Sequence, residues 1–158
     1  MQTHAKLTIR RVPWSNCVGR DLRAAQQAER GAAPDPTDAD LAVFLIAYER
    51  ATGQPLGCGG LRWLEPTIAE ARPIYVLPYA RGAGIAASIL TALEGEAHAA
   101  GVTTVVAEAA TARPGGEPFF EAAGYRRIPN FGPYQESEES VCLAKPVMNP
   151  IRVHAAPV

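Results

Sequence analysis

The chain has 158 residues, about the length of one domain. Its 15 Lys and Arg stand against 16 Asp and Glu, a net charge of -1, so binding of nucleic acid through a basic excess is not expected. With 47% hydrophobic and 20% charged residues it reads as a soluble globular protein, not a disordered one. The longest apolar run, Leu41 to Tyr48, is eight residues, far short of a membrane span. The opening MQTHAKLTIRR holds no apolar stretch that could serve as a signal peptide. Cys17, Cys58 and Cys142 are odd in number and widely spaced, the pattern of reduced thiols in a cytoplasmic protein; neither a disulfide frame nor a metal site is expected.

The first expected element is a strand near Lys6 to Arg10, stopped by Pro13. Ser15 or Asn16 then caps a helix on which Val18, Leu22, Ala25 and Ala28 recur at helical spacing, and Gly31 ends it. AAPDPTDAD is a loop. Leu41 to Tyr48 reads as a strand buried on both faces, Leu56 to Leu64 as a second and Ile68 to Leu77 as a third, joined as an antiparallel meander. From Ile85 to Ala100 the apolar residues gather on one helical face, with Gly101 as the stop and Val102 to Ala107 as the next strand. Strand, helix and strand in succession predict a right-handed crossover and a parallel pair. Pro118 opens a short helix ending at Gly124, and two strands surround Tyr125 and Val141–Ala144. The expected organisation is one α+β domain over residues 1–147 and a loose C-terminal tail over 148–158.

Between the third strand and the long helix lies YVLPYARGAGIA. Gly82 and Gly84 allow a tight turn that aims successive N–H groups at one spot, and the helix from Ile85 adds its own free N–H groups and positive dipole end. Such a turn can cradle a pyrophosphate, with the charge of Arg81 beside it, or it can merely join strand to helix. Gly82-Ala-Gly-Ile-Ala-Ala87 also satisfies a dinucleotide fingerprint, with Glu108 placed to hold a ribose. Against a nicotinamide-binding domain stand the five residues between strand and first glycine, the antiparallel meander, and the mere 50 residues after Glu108 (158−108).

YVLPYARGAGIA resembles the acyl-CoA-binding motif of the GNAT N-acetyltransferase superfamily, Arg/Gln-x-x-Gly-x-Gly/Ala after a hydrophobic strand. Arg81, Gly84 and Ala86 fill the motif places. The resemblance continues through VVAEAATARPGGEPFFEAAGYRRIPNFGPY and SVCLAKPV and is specific from about Glu70 to Pro146. It implies a GNAT-like α+β fold: a mixed, mostly antiparallel sheet of six to seven strands with a splayed parallel pair, flanked by three to four helices. Pro73 suits a strand whose ladder is broken, or a plain edge strand. The resemblance further implies acetyl-CoA as co-substrate, held by the backbone of Ile74, Tyr75 and Val76 along the pantetheine arm. The N–H groups of Arg81, Gly82, Ala83, Gly84, Ile85 and Ala86 would hold the pyrophosphate.

Acetyl transfer to an amine needs a base, because an alkylammonium of pKa about 10.4 is not a nucleophile. It also needs donors for an oxyanion, for which the N–H near Val76 is the family-like candidate. Glu108, after VTTVVA, resembles the glutamate at that strand end in many members, though a glutamate there can simply reach solvent. Glu70 is a second candidate, or an ion-pair partner of an arginine such as Arg72. Where many members carry a tyrosine acid, this chain has Phe120, which has no proton to give and by the resemblance would only contact the cofactor. Tyr134, in NFGPY, is the substitute acid, or a half-buried structural tyrosine. Tyr125 is expected to anchor the helix end and Cys142 to lie in the core. His4, His98 and His154 are scattered without catalytic partners. Asp35, Asp38 and Asp40, with Glu136, Glu138 and Glu139, would draw a cationic amine if their loops rim one cleft. The implied partner is a small-molecule or peptide amine, with a homodimer left open and neither nucleic acid nor membrane expected. The competing function is a non-catalytic acyl-CoA-binding sensor or regulatory module.

Overall fold

The computed structural model describes residues 6–31 and 40–147. Asp35, Asp38, His4, His154 and the expected tail at 148–158 lie outside the described residues. The elements are β1 (Leu7–Arg11), α1 (Cys17–Arg30), β2 (Val43–Glu49), β3 (Pro55–Glu65), β4 (Ile68–Val76), α2 (Ile85–Ala99), β5 (Thr104–Ala110), α3 (Gly116–Ala122), β6 (Arg126–Ile128) and β7 (Ser140–Pro146). The strands hydrogen-bond in the order β1-β2-β3-β4-β5-β7-β6. The sheet is mostly antiparallel with one parallel pair, β4 and β5, as expected of a strand–helix–strand crossover. The chain divides into two compact units: residues up to Trp63 with Ala71–Glu96, and Leu64–Glu70 with residues from Ala97 on.

In the first unit the meander is antiparallel from Leu7↔Glu49 onward, and a bulge between Ala47 and Tyr48 shifts the β2–β3 register. Five consecutive residues of β2, Val43 to Ala47, are buried, which explains their unbroken apolar run. Asn16 caps α1 by accepting the Gly19 N–H at 3.0 Å. Gly31, at φ 67°, closes the helix by donating to Gln27 O at 2.9 Å. Leu22 of α1 packs into a cluster with Phe44, Ile46, Cys58 and Tyr75, so truncating it to Ala costs about 2–5 kcal/mol. The glycines that weaken β3 as a sequence signal are required by close approach. A Cβ at Gly59 would stand 2.5 Å from Ile89 Cγ2 and 3.1 Å from Leu93 Cδ1, both on the buried stripe of α2.

In the second unit β7 runs between β5 and β6, antiparallel to both, from Thr104↔Pro146 to Ala110↔Ser140 on one side and Arg126↔Ala144 to Ile128↔Cys142 on the other. The first three residues of β4 pair in parallel with β5 at Ile68↔Thr104, Ala69↔Val105 and Glu70↔Val106. The fifth strand was expected to stop at Ala107; it continues to Ala110 because β7 supplies a ladder partner for every residue. Glu108 therefore lies within a strand, not at its end. Ala109 has the opposite pleat to Glu108, and Gly116 of α3 approaches it so closely that a Cβ there would stand 3.2 Å from Ala109 Cβ. α3 thus covers the face of β5 away from Glu108.

Candidate active site

In the first unit β4 leads through a 3-10 turn at Pro78–Ala80 into the glycine loop. Gly82 and Gly84 have φ of 84° and 79°, a region that disfavours any side chain, so the loop can close only with glycine at both places. The first α-helical bond of α2 is Ser88 N–H to Gly84 O at 3.1 Å, leaving the N–H groups of Ile85, Ala86 and Ala87 ahead of it. The loop from Arg81 to Gly84 is exposed, and a Cβ on Gly82 would meet nothing within 4 Å. This open turn of N–H groups at the positive end of a 15-residue helix suits a phosphate.

The side chain of Arg81, expected to lend its charge beside a pyrophosphate, is bonded to other parts of the chain. Its Nε donates to Val76 O at 2.9 Å, and its Nη2 donates to Glu29 Oε1 and Oε2 at 2.8 and 2.9 Å. Its N–H bonds Pro78 O at 3.3 Å. Tyr75 joins them, donating its hydroxyl to Glu29 Oε1 at 3.3 Å beneath the guanidinium. Hydrogen bonding to Glu29 pushes the Arg81 pKa up further, while burial first and Glu29 second raise the Tyr75 phenol. Because both charged side chains are nearly half exposed, the ion pair contributes at most about 1 kcal/mol. Arg81 fastens the loop to the end of β4 and to α1.

The second unit holds the two carboxylates. Glu70 of β4 is 1% exposed and lies in register with Val106, two residues from Glu108. By the pleat, Glu70, Val106 and Glu108 share one face of the sheet, together with Cys142, which pairs with Glu108. Tyr134, at the end of a 3-10 turn over Gly132–Tyr134, donates its hydroxyl to Glu70 Oε2 at 3.0 Å. Ser140 donates to Glu108 Oε2 at 2.7 Å. The structure thus joins Tyr134 to Glu70 and gives Glu108 a separate hydroxyl.

Cys142 is fully buried; burial pushes its thiol up, and Glu108 and Glu70 add to the rise, so it is an inert core residue as expected. Phe120 is 8% exposed, its ring edge-on to Phe119 at 5.1 Å and to Tyr125 at 5.3 Å. Tyr125 is 2% exposed at the end of α3. Asp40, Glu136, Glu138 and Glu139 are exposed, and His98 sits in the last turn of α2. Among the described residues, no group of three or more His, Cys, Asp and Glu could hold a metal ion, and no helix is long and apolar enough to cross a membrane.

Sequence reasoning missed Ser140, Glu29 and Asn130. Nothing marks Ser140 in advance, because its role depends on β7 lying beside β5. Asn130 precedes the turn-forming Gly132 and Pro133, a composition that marks a loop, but its amide contacts require the folded loop.

A mixed, mostly antiparallel sheet with a parallel β4/β5 pair, and a glycine turn at the N-terminus of α2, match a GNAT-like fold. Residues 40–127 match the model of the acetyltransferase (GNAT) domain, and the chain belongs to the GNAT acetyltransferase family. It is 30% identical over 105 residues to the IAA acetyltransferase of Azospirillum brasilense, covering 66% of this chain and 67% of that protein. Among solved structures it is similar to a Klebsiella pneumoniae protein described as an acyl-CoA N-acyltransferase, with a TM-score of 0.79 at 24% identity over 91% of this chain and 99% of the other. A GNAT family acetyltransferase from Elizabethkingia anophelis with acetyl-CoA bound gives a TM-score of 0.71 at 14% identity, covering 89% and 98%.

Proposed function

We propose that this chain transfers the acetyl group of acetyl-CoA to a primary amine of a small molecule or peptide by direct attack, without a covalent enzyme intermediate. The observation that carries this reading is the Tyr134–Glu70 hydrogen bond, which joins a proton donor to a carboxylate carried by strand β4. The same strand continues through Ile74, Tyr75 and Val76 to the glycine loop. The backbone of those three residues lies along the pantetheine arm of the substrate, and the N–H groups of Gly82 to Ala86 take its pyrophosphate. The solved structure with acetyl-CoA bound supports the choice of donor.

Glu70 accepts the proton that the ammonium must lose, directly or through a water. The nitrogen then adds to the acetyl carbon, the N–H near Val76 steadies the oxyanion, and as the oxyanion collapses and the carbon–sulfur bond breaks the nitrogen releases its second proton to water. Tyr134 gives its proton to the departing thiolate and regains one from Glu70 along the 3.0 Å bond. A thiol of pKa about 8.5 leaves without strict need of an acid, so Tyr134 accelerates the step and Phe120 is no obstacle. Glu108, held by Ser140, faces the same side and attracts the cationic acceptor.

Calorimetric titration with acetyl-CoA, CoA and NADPH tests the donor; micromolar acetyl-CoA binding with NADPH silent is expected. Thiol release is then followed with n-butylamine, 1,4-diaminobutane, lysine, glycinamide and an aminoglycoside. With the fastest of these, Glu70→Gln and Tyr134→Phe lower kcat by roughly a hundredfold and tenfold, with acetyl-CoA affinity nearly unchanged. Tight acetyl-CoA binding with no turnover of any amine would instead favour a non-catalytic acyl-CoA sensor.

A further inference from the structure

The loop between β6 and β7 serves both carboxylates. Tyr134 reaches Glu70 at 3.0 Å, Ser140 reaches Glu108 at 2.7 Å, and Ser137 Oγ lies 3.2 Å from Ser140 Oγ. Beneath them is one side chain. Asn130 Nδ2 lies 3.0 Å from Tyr134 O, 3.1 Å from Ser137 O and 3.0 Å from Ser140 O.

An amide nitrogen carries two hydrogens, so the three carbonyls share them through a bifurcated bond. The opposite orientation would set Oδ1 against three oxygens that only accept, so the chemistry fixes which way the amide points. Two of the three carbonyls belong to the residues whose hydroxyls bond Glu70 and Glu108, Tyr134 and Ser140, and the third to Ser137, whose hydroxyl donates to Ser140 Oγ. Of the loop residues, Gly132, Pro133, Gln135, Glu136, Glu138 and Glu139 are exposed, so apolar packing holds little of it. Its shape comes from hydrogen bonds, and half-buried carbonyls turned inward need a donor.

We infer that Asn130 is a positioning residue for acetyl transfer, setting the Tyr134 hydroxyl on Glu70 and the Ser140 hydroxyl on Glu108 through the loop backbone. The inference rests on the assignment of the Glu70–Tyr134 pair to catalysis. Asn130 itself touches no reacting atom. Its removal acts by misplacing hydroxyls at the end of a loop, and a displacement near 1 Å is enough to lower a rate about a hundredfold.

The test uses the whole protein labelled with [13C]tyrosine. The Tyr134 Cζ signal, one of five, is assigned by its loss in Tyr134→Phe. Glu70→Gln then reports its position without the carboxylate partner. Asn130→Ala and the shape-conserving Asn130→Asp should both move the signal toward that position and leave the other four in place. With the fastest amine of the panel, both should lower kcat roughly tenfold to a hundredfold at an unchanged KM for acetyl-CoA. Asn130→Ala combined with Tyr134→Phe should be as slow as the slower single variant, because the two act on one interaction. An unmoved Tyr134 signal in both Asn130 variants overturns the inference. So does a lowered melting temperature with kcat retained, or losses that multiply. Full turnover in Glu70→Gln and Tyr134→Phe, with the signal still moved by Asn130→Ala, overturns the catalytic assignment of the pair and with it this role.

Discussion

Gly57 stands under the end of β4, and Gly57→Ala tests the packing and the donor site together. A Cβ built there falls 2.5 Å from Tyr75 O, 3.2 Å from Val76 Cα and 3.3 Å from Ile89 Cδ1. Ordinary van der Waals separation is about 3.5 Å, so the nearest contact is short by about 1 Å. The two nearest atoms are backbone, so rotating a side chain cannot relieve it; Tyr75 and Val76 must move with their strand. Overpacking of this kind costs about 2 kcal/mol, which lowers the melting temperature of a chain this long by about 4–8 °C. The displaced backbone is the stretch assigned to the pantetheine arm, so acetyl-CoA affinity should fall about tenfold, or about 1.4 kcal/mol. Thermal melts and calorimetric titration of the same sample measure both. A Gly57→Ala protein with the wild-type melting temperature would refute the packing argument. One that is destabilised but binds acetyl-CoA normally would refute the assignment of Tyr75 and Val76.

Four other outcomes are expected. Gly95→Ala, in the middle of α2 where a Cβ meets nothing within 4 Å, should stabilise the protein by roughly 0.5–1 kcal/mol in denaturant melts. Ala83→Glu, at an exposed place without a positive φ, should weaken acetyl-CoA binding more than tenfold at an unchanged melting temperature; unaltered affinity would remove the loop from the phosphate site. Of the three thiols only exposed Cys17 should react promptly with a thiol reagent at pH 8, counted spectrophotometrically. Burial pushes the Cys58 thiol from 9.0 up to about 12. The unfolded thiol therefore ionises first, and stability should fall as pH rises from about 9 toward 12, by about 1.4 kcal/mol per pH unit; urea melts of Cys58→Ala should lose that slope.

The elements were legible where one residue type leaves the backbone few choices. Asn16 and Gly31 bracket α1, Gly101 follows α2, and the apolar run of β2 is buried as its composition requires. The end of β5 was not legible, because Glu108-Ala-Ala-Thr111 has no apolar alternation and owes its strand geometry to β7, 30 residues further on (140−110). The glycine loop could be found from local conformational need, as the φ angles of Gly82 and Gly84 show. The ion pair of Arg81 was not legible, because its partner, Glu29, is 52 residues away and nothing nearby announces it. Tyr134 and Glu70 could each be nominated from chemistry, but their contact spans 64 residues and needed the fold.

The placement of β7 has a consequence for how the protein is made. β5 is complete at Ala110, yet its antiparallel neighbour ends at Pro146, 36 residues later (146−110). At a synthesis rate of about 5–20 residues per second, that edge waits roughly 2–7 s on the ribosome with bare N–H and C=O groups, and β6, once made, likewise lacks its partner β7. A nascent chain in that interval offers an open template to other strands, and chaperone demand should concentrate there. Ser140 arrives only at the close of this interval, so a half-made chain gains its glycine loop well before Glu108 acquires its hydroxyl partner.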